Sequence, residues 1–154
     1  MAVGRASGSR SRPSRTRRPA GLSEDALHET IAAGLDALLM PPAEWTTFPA
    51  GGYRLPRSAA TRLARLGLKT GWPDILIVHR GVFGIELKTE VGRLSKTRIS
   101  RFGRSGVRLI VGQADMHVRL RAAGMPVAVC RSLEDVLAAL RGWEIPLRGA
   151  AVQG

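Results

Sequence analysis

Two β-prone runs sit back to back in the middle of the chain, Asp74-Ile-Leu-Ile-Val-His79 and Val82-Phe-Gly-Ile-Glu-Leu-Lys88, with Arg80-Gly81 between them. Runs of branched apolar residues on either side of so short a polar break predict a β-hairpin. Ile75, Ile77, Ile85 and Leu87 then share one apolar face, which needs a core to cover it. Glu86 and Lys88 share the opposite face. A three-residue loop with Gly81 in the left-handed position pairs Val78 with Val82 and sets Asp74 opposite Glu86 on that same face. A two-residue loop pairs Asp74 with Leu87 and turns it away. The glycine at the third loop position favours the first register.

The flanking sequence supplies layers to cover such a hairpin. Ser23, followed by Glu24 and Asp25, is a helix start, and Leu27, Ile31, Leu35 and Leu38 form a stripe at helical spacing that Pro41-Pro42 ends. Trp45 to Phe48 reads as a short strand, and Arg57 to Leu66 as a helix closed by Gly67. Residues 89–112 are basic and Gly-rich and show no clear period. Gln113 to Ala123 reads as a helix stopped at Gly124, Pro126 to Cys130 as a strand, and Ser132 caps a last helix to about Arg141. The tail Gly142 to Arg148 has no clear assignment. The order predicts an α/β fold with helices on both sides of a small mixed sheet. In domain terms, residues 1–21 read as a disordered basic arm, 22–148 as one folded domain and 149–154 as a disordered tail.

Charge narrows the partners. Of 154 residues, 24 are Lys or Arg and 12 are Asp or Glu, a formal charge of +12. That surplus points to a polyanion, nucleic acid first, although charge alone does not separate DNA from RNA. Six arginines (Arg5, Arg10, Arg12, Arg15, Arg17 and Arg18) and no acid lie in the arm. No apolar run is long enough to span a membrane and the N-terminus lacks a secretory apolar stretch, so a cytoplasmic protein without membrane contact is expected. With one cysteine, Cys130, there is no intrachain disulfide and no cysteine-based zinc site to consider.

Two carboxylates on adjacent strands repel unless a shared proton, a cationic side chain or a metal ion offsets them. Hard oxygen donors of this kind suit Mg²⁺ or Mn²⁺, and a lysine two residues on is placed to hold a water or to offset charge on a phosphate. On the first helix Glu24 falls on the arc of His28, Ile31 and Leu35 and is expected to point inward. On the third, Gln113 shares a face with His117 and Leu120. Both polar groups start core-facing stripes and could frame one pocket with the hairpin acids.

Phe48-Pro-Ala-Gly-Gly52, Leu63-Ala-Arg-Leu-Gly67, Gly71-Trp-Pro-Asp74, Glu86-Leu-Lys88, Gly92-Arg-Leu-Ser95, Gln113 and Pro126-Val-Ala-Val-Cys-Arg-Ser132 together resemble the VRR-NUC family, the virus-type replication-repair branch of the PD-(D/E)xK superfamily. The resemblance spans about residues 23–141. It implies a restriction-endonuclease-like core and a nuclease that uses Mg²⁺ or Mn²⁺ to hydrolyse phosphodiester bonds, in some members on flapped or branched DNA and as a homodimer. Asp74 and Glu86 match the metal-binding acids and Lys88 the catalytic lysine. Glu24 matches the acid of the first helix, and Gln113 the helix glutamine. The backbone carbonyl of Leu87 is a further expected ligand, and Glu24 is expected to bind a second metal or orient the water. One departure is plain: 17 residues (96–112) separate Ser95 from Gln113, where many members have only a few. This stretch carries Lys96, Arg98, Arg101, Arg104 and Arg108 and no acid, and is expected either to contact nucleic acid or to mean that Gln113 is not the equivalent residue. The competing reading is a non-catalytic nucleic-acid-binding module of the same fold, with the acids serving structure alone.

Overall fold

The computed structural model describes residues 23–48, 56–102 and 106–149. The basic arm, Leu22 of the expected domain, most of the Phe48–Gly52 motif, Arg104 and residues 150–154 of the expected tail lie outside the described residues.

Helix α1 (Glu24–Leu38) opens where the sequence places its cap: the Ser23 Oγ accepts the Ala26 N–H, and Glu24 and Asp25 sit at the positive end of the helix dipole. Strand β1 (Glu44–Thr47) and helix α2 (Arg57–Arg65) follow, then β2 (Ile75–Val78) and β3 (Val82–Leu87). After β4 (Arg98–Phe102) and β5 (Gly106–Ile110) come helix α3 (Gln113–Ala122), strand β6 (Val127–Cys130) and helix α4 (Leu133–Gly142). At α4 the Ser132 Oγ accepts the Asp135 N–H, while the Asp135 carboxylate reaches back to the Arg131 N–H.

Four strands form one sheet in the order β1-β2-β3-β6, antiparallel except for the parallel β3–β6 pair. The β2–β3 turn is the three-residue loop His79-Arg80-Gly81, and Val78 pairs with Val82 as expected. The left-handed residue is Arg80 (φ 52°), not Gly81. The loop bends back through a hydrogen bond from the His79 N–H to the Gly81 carbonyl, which sets the positive φ at the middle residue.

Alternation across the sheet separates two cores. Ile75, Ile77, Ile85, Leu87 and Cys130 point to one face and pack with Leu27, Ile31 and Leu35 of α1 and Val136 and Leu140 of α4. Leu76, Gly84 and Val127 point to the other, under Met116 and Leu120 of α3. Helices therefore cover both faces, as the element order predicts. Gly84 is a requirement of this second face: a Cβ there would lie 2.5 Å from Cγ of Pro73, which folds over it. The unassigned tail packs too, with Ile145 and Leu147 buried in the first core and Arg148 N–H bonded to the Leu38 carbonyl.

Residues 89–112, unassigned from sequence, contain an antiparallel ribbon, β4–β5, that is a separate two-stranded sheet. Its root is pinched. The Gly112 N–H donates to Thr97 Oγ1, and a Cβ on Gly112 would lie 2.3 Å from the Lys96 carbonyl carbon. Only glycine permits that crossing. No described helix is long and apolar enough to cross a membrane.

Candidate active site

The register decides the site. Ile75 pairs with Ile85, so one step further Asp74 stands opposite Glu86, on the α3 face of the sheet. The next step would set Pro73 opposite Leu87, and proline has no N–H to give. The ladder ends there, and the Asp74 side chain takes over: its Oδ2 accepts the Leu87 N–H at 2.8 Å. Even-numbered β3 residues face β6, as the bonds from Gly84 N–H to Pro126 O and Lys88 N–H to Cys130 O show. Leu87 therefore turns both its N–H and its carbonyl toward the Asp74 edge, with no proline amide to meet the carbonyl.

Glu86 is fully buried, an uncommon place for a carboxylate. Its Oε1 is 2.7 Å from Nζ of Lys88 and accepts a hydrogen bond from Nε2 of Gln113. Its Oε2 is buried without any hydrogen bond. His117 Nε2 lies 3.5 Å from that oxygen, within ion-pair reach but without hydrogen-bond geometry, and neither ring nitrogen has another partner. The Glu24 Oε1 is 3.7 Å from Lys88 Nζ. Glu24 does not point into the core as its helical arc suggests; its side chain is 55% exposed while its carboxylate reaches toward Lys88.

Gln113 is held as firmly as it holds. Helix α3 begins after Gly112, which has no side chain to cap it. Ser95 caps it from a distance, its Oγ accepting the Gln113 N–H and its carbonyl the Ala114 N–H. The Ser95 N–H in turn donates to Gln113 Oε1 at 3.0 Å. The 17 intervening residues thus leave and return at one point, and the insertion does not separate Gln113 from the hairpin acids. Ser95 and His117 are the two site residues for which the sequence reading gave no role. The signal for Ser95 is the uncapped Gly112 start; for His117 it is the single helical turn separating it from Gln113.

Burial raises the Asp74 carboxyl from 3.8 to about 6, with the Glu86 charge adding to the rise and the Leu87 N–H and Lys88 opposing it. Desolvation works to lower Lys88, but its hydrogen bond to Glu86 and the charges of Glu86, Glu24 and Asp74 outweigh it and push the ammonium up. Lys88 is therefore a firm cation. Burial pushes the Cys130 thiol up to about 12, which makes it an inert core residue.

Three carboxylates (Glu24, Asp74, Glu86) against one ammonium (Lys88) leave a formal charge of −2 in this corner. No three His, Cys, Asp or Glu side chains among the described residues converge closely enough to cage a metal unaided. The donor set still fits a hard divalent ion that keeps several waters: two acids on neighbouring strands, one of which (Glu86) has an oxygen without a hydrogen bond, and an adjacent carbonyl. Of the expected nucleic-acid contacts, Lys96, Arg98, Arg101 and Arg108 are exposed along the ribbon, and Arg104 lies outside the described residues. Comparison with known protein families, with curated proteins and with solved structures yields no match.

Proposed function

We propose that this chain is a metal-dependent nuclease of the VRR-NUC kind, with a restriction-endonuclease-like core, hydrolysing phosphodiester bonds in DNA. The observation that carries the reading is the convergence of Asp74, Glu86 and Lys88 on one face at the end of the β2–β3 ladder, with one oxygen of the buried Glu86 left without a hydrogen bond. Asp74, Glu86 and the Leu87 carbonyl would hold Mg²⁺ or Mn²⁺, offsetting both the burial and the Glu86 charge that together raise Asp74. When bound, such an ion supplies Lewis-acid polarisation of a phosphate oxygen and a water of lowered pKa.

The chain's own groups do the rest. Lys88, charged and fixed against Glu86, donates to a phosphate oxygen and offsets the negative charge that grows there as the bond breaks. Gln113 fixes Glu86 through Oε1, so the carboxylate cannot rotate away from the Asp74 edge. Glu24, at the open side of the cluster, is placed to accept a hydrogen bond from an attacking water. The exposed cations of the ribbon and the arginines of the arm attract the phosphate backbone, an affinity that falls steeply with salt.

The test is cleavage of linear, flapped and four-way DNA, and of RNA, with Mg²⁺, Mn²⁺ or EDTA. The reading expects nicking that EDTA abolishes and that the Asp74→Ala, Glu86→Ala double variant lacks. Cleavage undiminished in that variant, or binding with no cleavage on any substrate, would refute it.

A further inference from the structure

The β4–β5 ribbon presents an apolar face to solvent. Ile99 pairs with Leu109 and Arg101 with Val107, so these four side chains share one side. Ile99, Val107 and Leu109 are 67%, 65% and 58% exposed. A two-stranded ribbon is marginal in water by itself, and leaving three branched apolar residues uncovered on it makes the face one that a partner completes. The other side carries Arg98 and Arg108, and Lys96 stands at the root. Between residues 91 and 112 there are six cations and no acid.

These features select among occupants. A second copy of the chain would bring the same arginines against one another without a compensating acid, a costly arrangement for a self-complementary contact. A polyanion satisfies them. Within nucleic acids, the four-residue face carries no aromatic ring, so it lacks the stacking platforms that hold unpaired bases. The narrow minor groove of B-form DNA, about 6 Å wide, does not admit two strands, whereas the major groove, about 12 Å wide, does. Strands of five residues reach about 17 Å, long enough to follow that groove over several base pairs. The apolar groups on its floor are the C5-methyl groups of thymine.

We infer that the β4–β5 ribbon is a major-groove reader of B-form duplex DNA, with Ile99, Val107 and Leu109 seated on thymine methyl groups and Arg101 reaching guanine beside them. Arg98, Arg108 and Lys96 extend to the phosphates of the groove walls. The ribbon's root is clasped to Gln113 through Ser95, and Gln113 is bonded to Glu86, so a groove held by the ribbon stands in fixed relation to the acids. The inference rests on the nuclease reading only for its biological use. It gives that nuclease a preference for base composition, which phosphate contacts alone cannot supply.

The experiment is fluorescence anisotropy of the full chain in EDTA with three labelled duplexes of one sequence: ordinary DNA, the same DNA with uracil replacing every thymine, and RNA. Uracil lacks only the methyl group. The wild type should bind thymine DNA about fivefold more tightly than uracil DNA. The Ile99→Ser, Leu109→Ser variant should bind both equally, at the uracil level. Duplex RNA, whose major groove is too narrow for side chains to read, should be held only at that level. Arg108→Ala should weaken all three duplexes alike and lower the salt slope by about 1. Equal wild-type affinity for thymine and uracil DNA overturns the inference whether or not the variant folds, as does a dimer in light scattering that the serine variant dissolves. Because EDTA prevents cleavage, the two readings fail separately. Loss of thymine discrimination with Mg²⁺-dependent cutting intact removes the groove reader alone, and discrimination without cutting removes the nuclease alone.

Discussion

Replacing Asp74 by Asn should stabilise the fold at neutral pH and remove its response to divalent metal. Burial, and then the Glu86 charge, hold this carboxyl at about 6 against an ordinary 3.8. At about 1.4 kcal/mol per tenfold change in proton affinity, the rise amounts to about 3 kcal/mol, which the partial exposure of the side chain reduces to about 1–2 kcal/mol. The sign follows from which state holds the proton. Between about pH 4 and pH 6 the folded chain keeps a proton on Asp74 that the unfolded chain has lost, so stability falls as the pH rises through that window. The penalty is absent below about pH 4 and complete above about pH 7. Asparagine carries no charge at any pH, and its carboxamide oxygen can still accept the Leu87 N–H that Oδ2 now accepts at 2.8 Å. Urea unfolding of both proteins from pH 4 to pH 8 gives the difference directly, since other titrating groups are common to both. The variant should match the wild type near pH 4 and exceed it by about 1–2 kcal/mol at pH 7.5. Millimolar Mn²⁺ should then raise the wild-type midpoint and leave the variant unmoved, because an ion that binds only the folded state stabilises by mass action. A variant less stable than the wild type at pH 7.5, or a difference that does not change with pH, would show that the two acids are not in the strained relation described.

Lys88→Ala should abolish cleavage while leaving DNA affinity in EDTA nearly unchanged. It should also destabilise by about 3 kcal/mol in urea unfolding, because Glu86 stays buried without its ammonium partner. Gly84→Ala should cost about 1–3 kcal/mol, since the added Cβ meets the buried Pro73 ring at 2.5 Å; displacing that ring moves the adjacent Asp74, so Mn²⁺ stabilisation should fall with it. Removing residues 1–21 takes six arginines, and the slope of log affinity against log salt should shrink by up to about 5 while the cleavage rate at saturating DNA is kept.

The parts of this structure legible in the sequence are those where one local rule decides. Alternation over residues 75–77 and 85–87 fixed the buried face, and a three-residue loop fixed the register that brings Asp74 to Glu86. The identity of the left-handed residue was not legible, because the preference for glycine at Gly81 is a tendency and Arg80 took the position instead. The ribbon escaped because no described residue of its strands is buried; with no core to select one face, arginines and aliphatic residues mix along each strand and the period-2 signal weakens. Glu24 lies on the arc that the helical period gives, yet it is the first residue of its helix and its side chain stays largely exposed. The Ser95–Gln113 clasp joins residues 18 apart, and no short-range pattern announces a cap supplied from another segment.

Glu86 itself weighs against a purely structural role for the acids. A carboxylate buried for stability is expected to have both oxygens satisfied, since one left unpaired in a low-dielectric interior costs energy that an apolar residue of similar size would not. Here Lys88 and Gln113 both take Oε1, and Oε2 faces His117 without a hydrogen bond. A second acid, Asp74, is then set directly opposite, where burial first and the Glu86 charge second raise its carboxyl. A fold selected for stability alone would not arrange its charges so. Sites in which like charges are pressed together beside one fixed cation are where a protein trades stability for binding. The deficit at Glu86 and the repulsion at Asp74 share one remedy, a divalent cation between the strands, which is the ion the proposed nuclease would hold there.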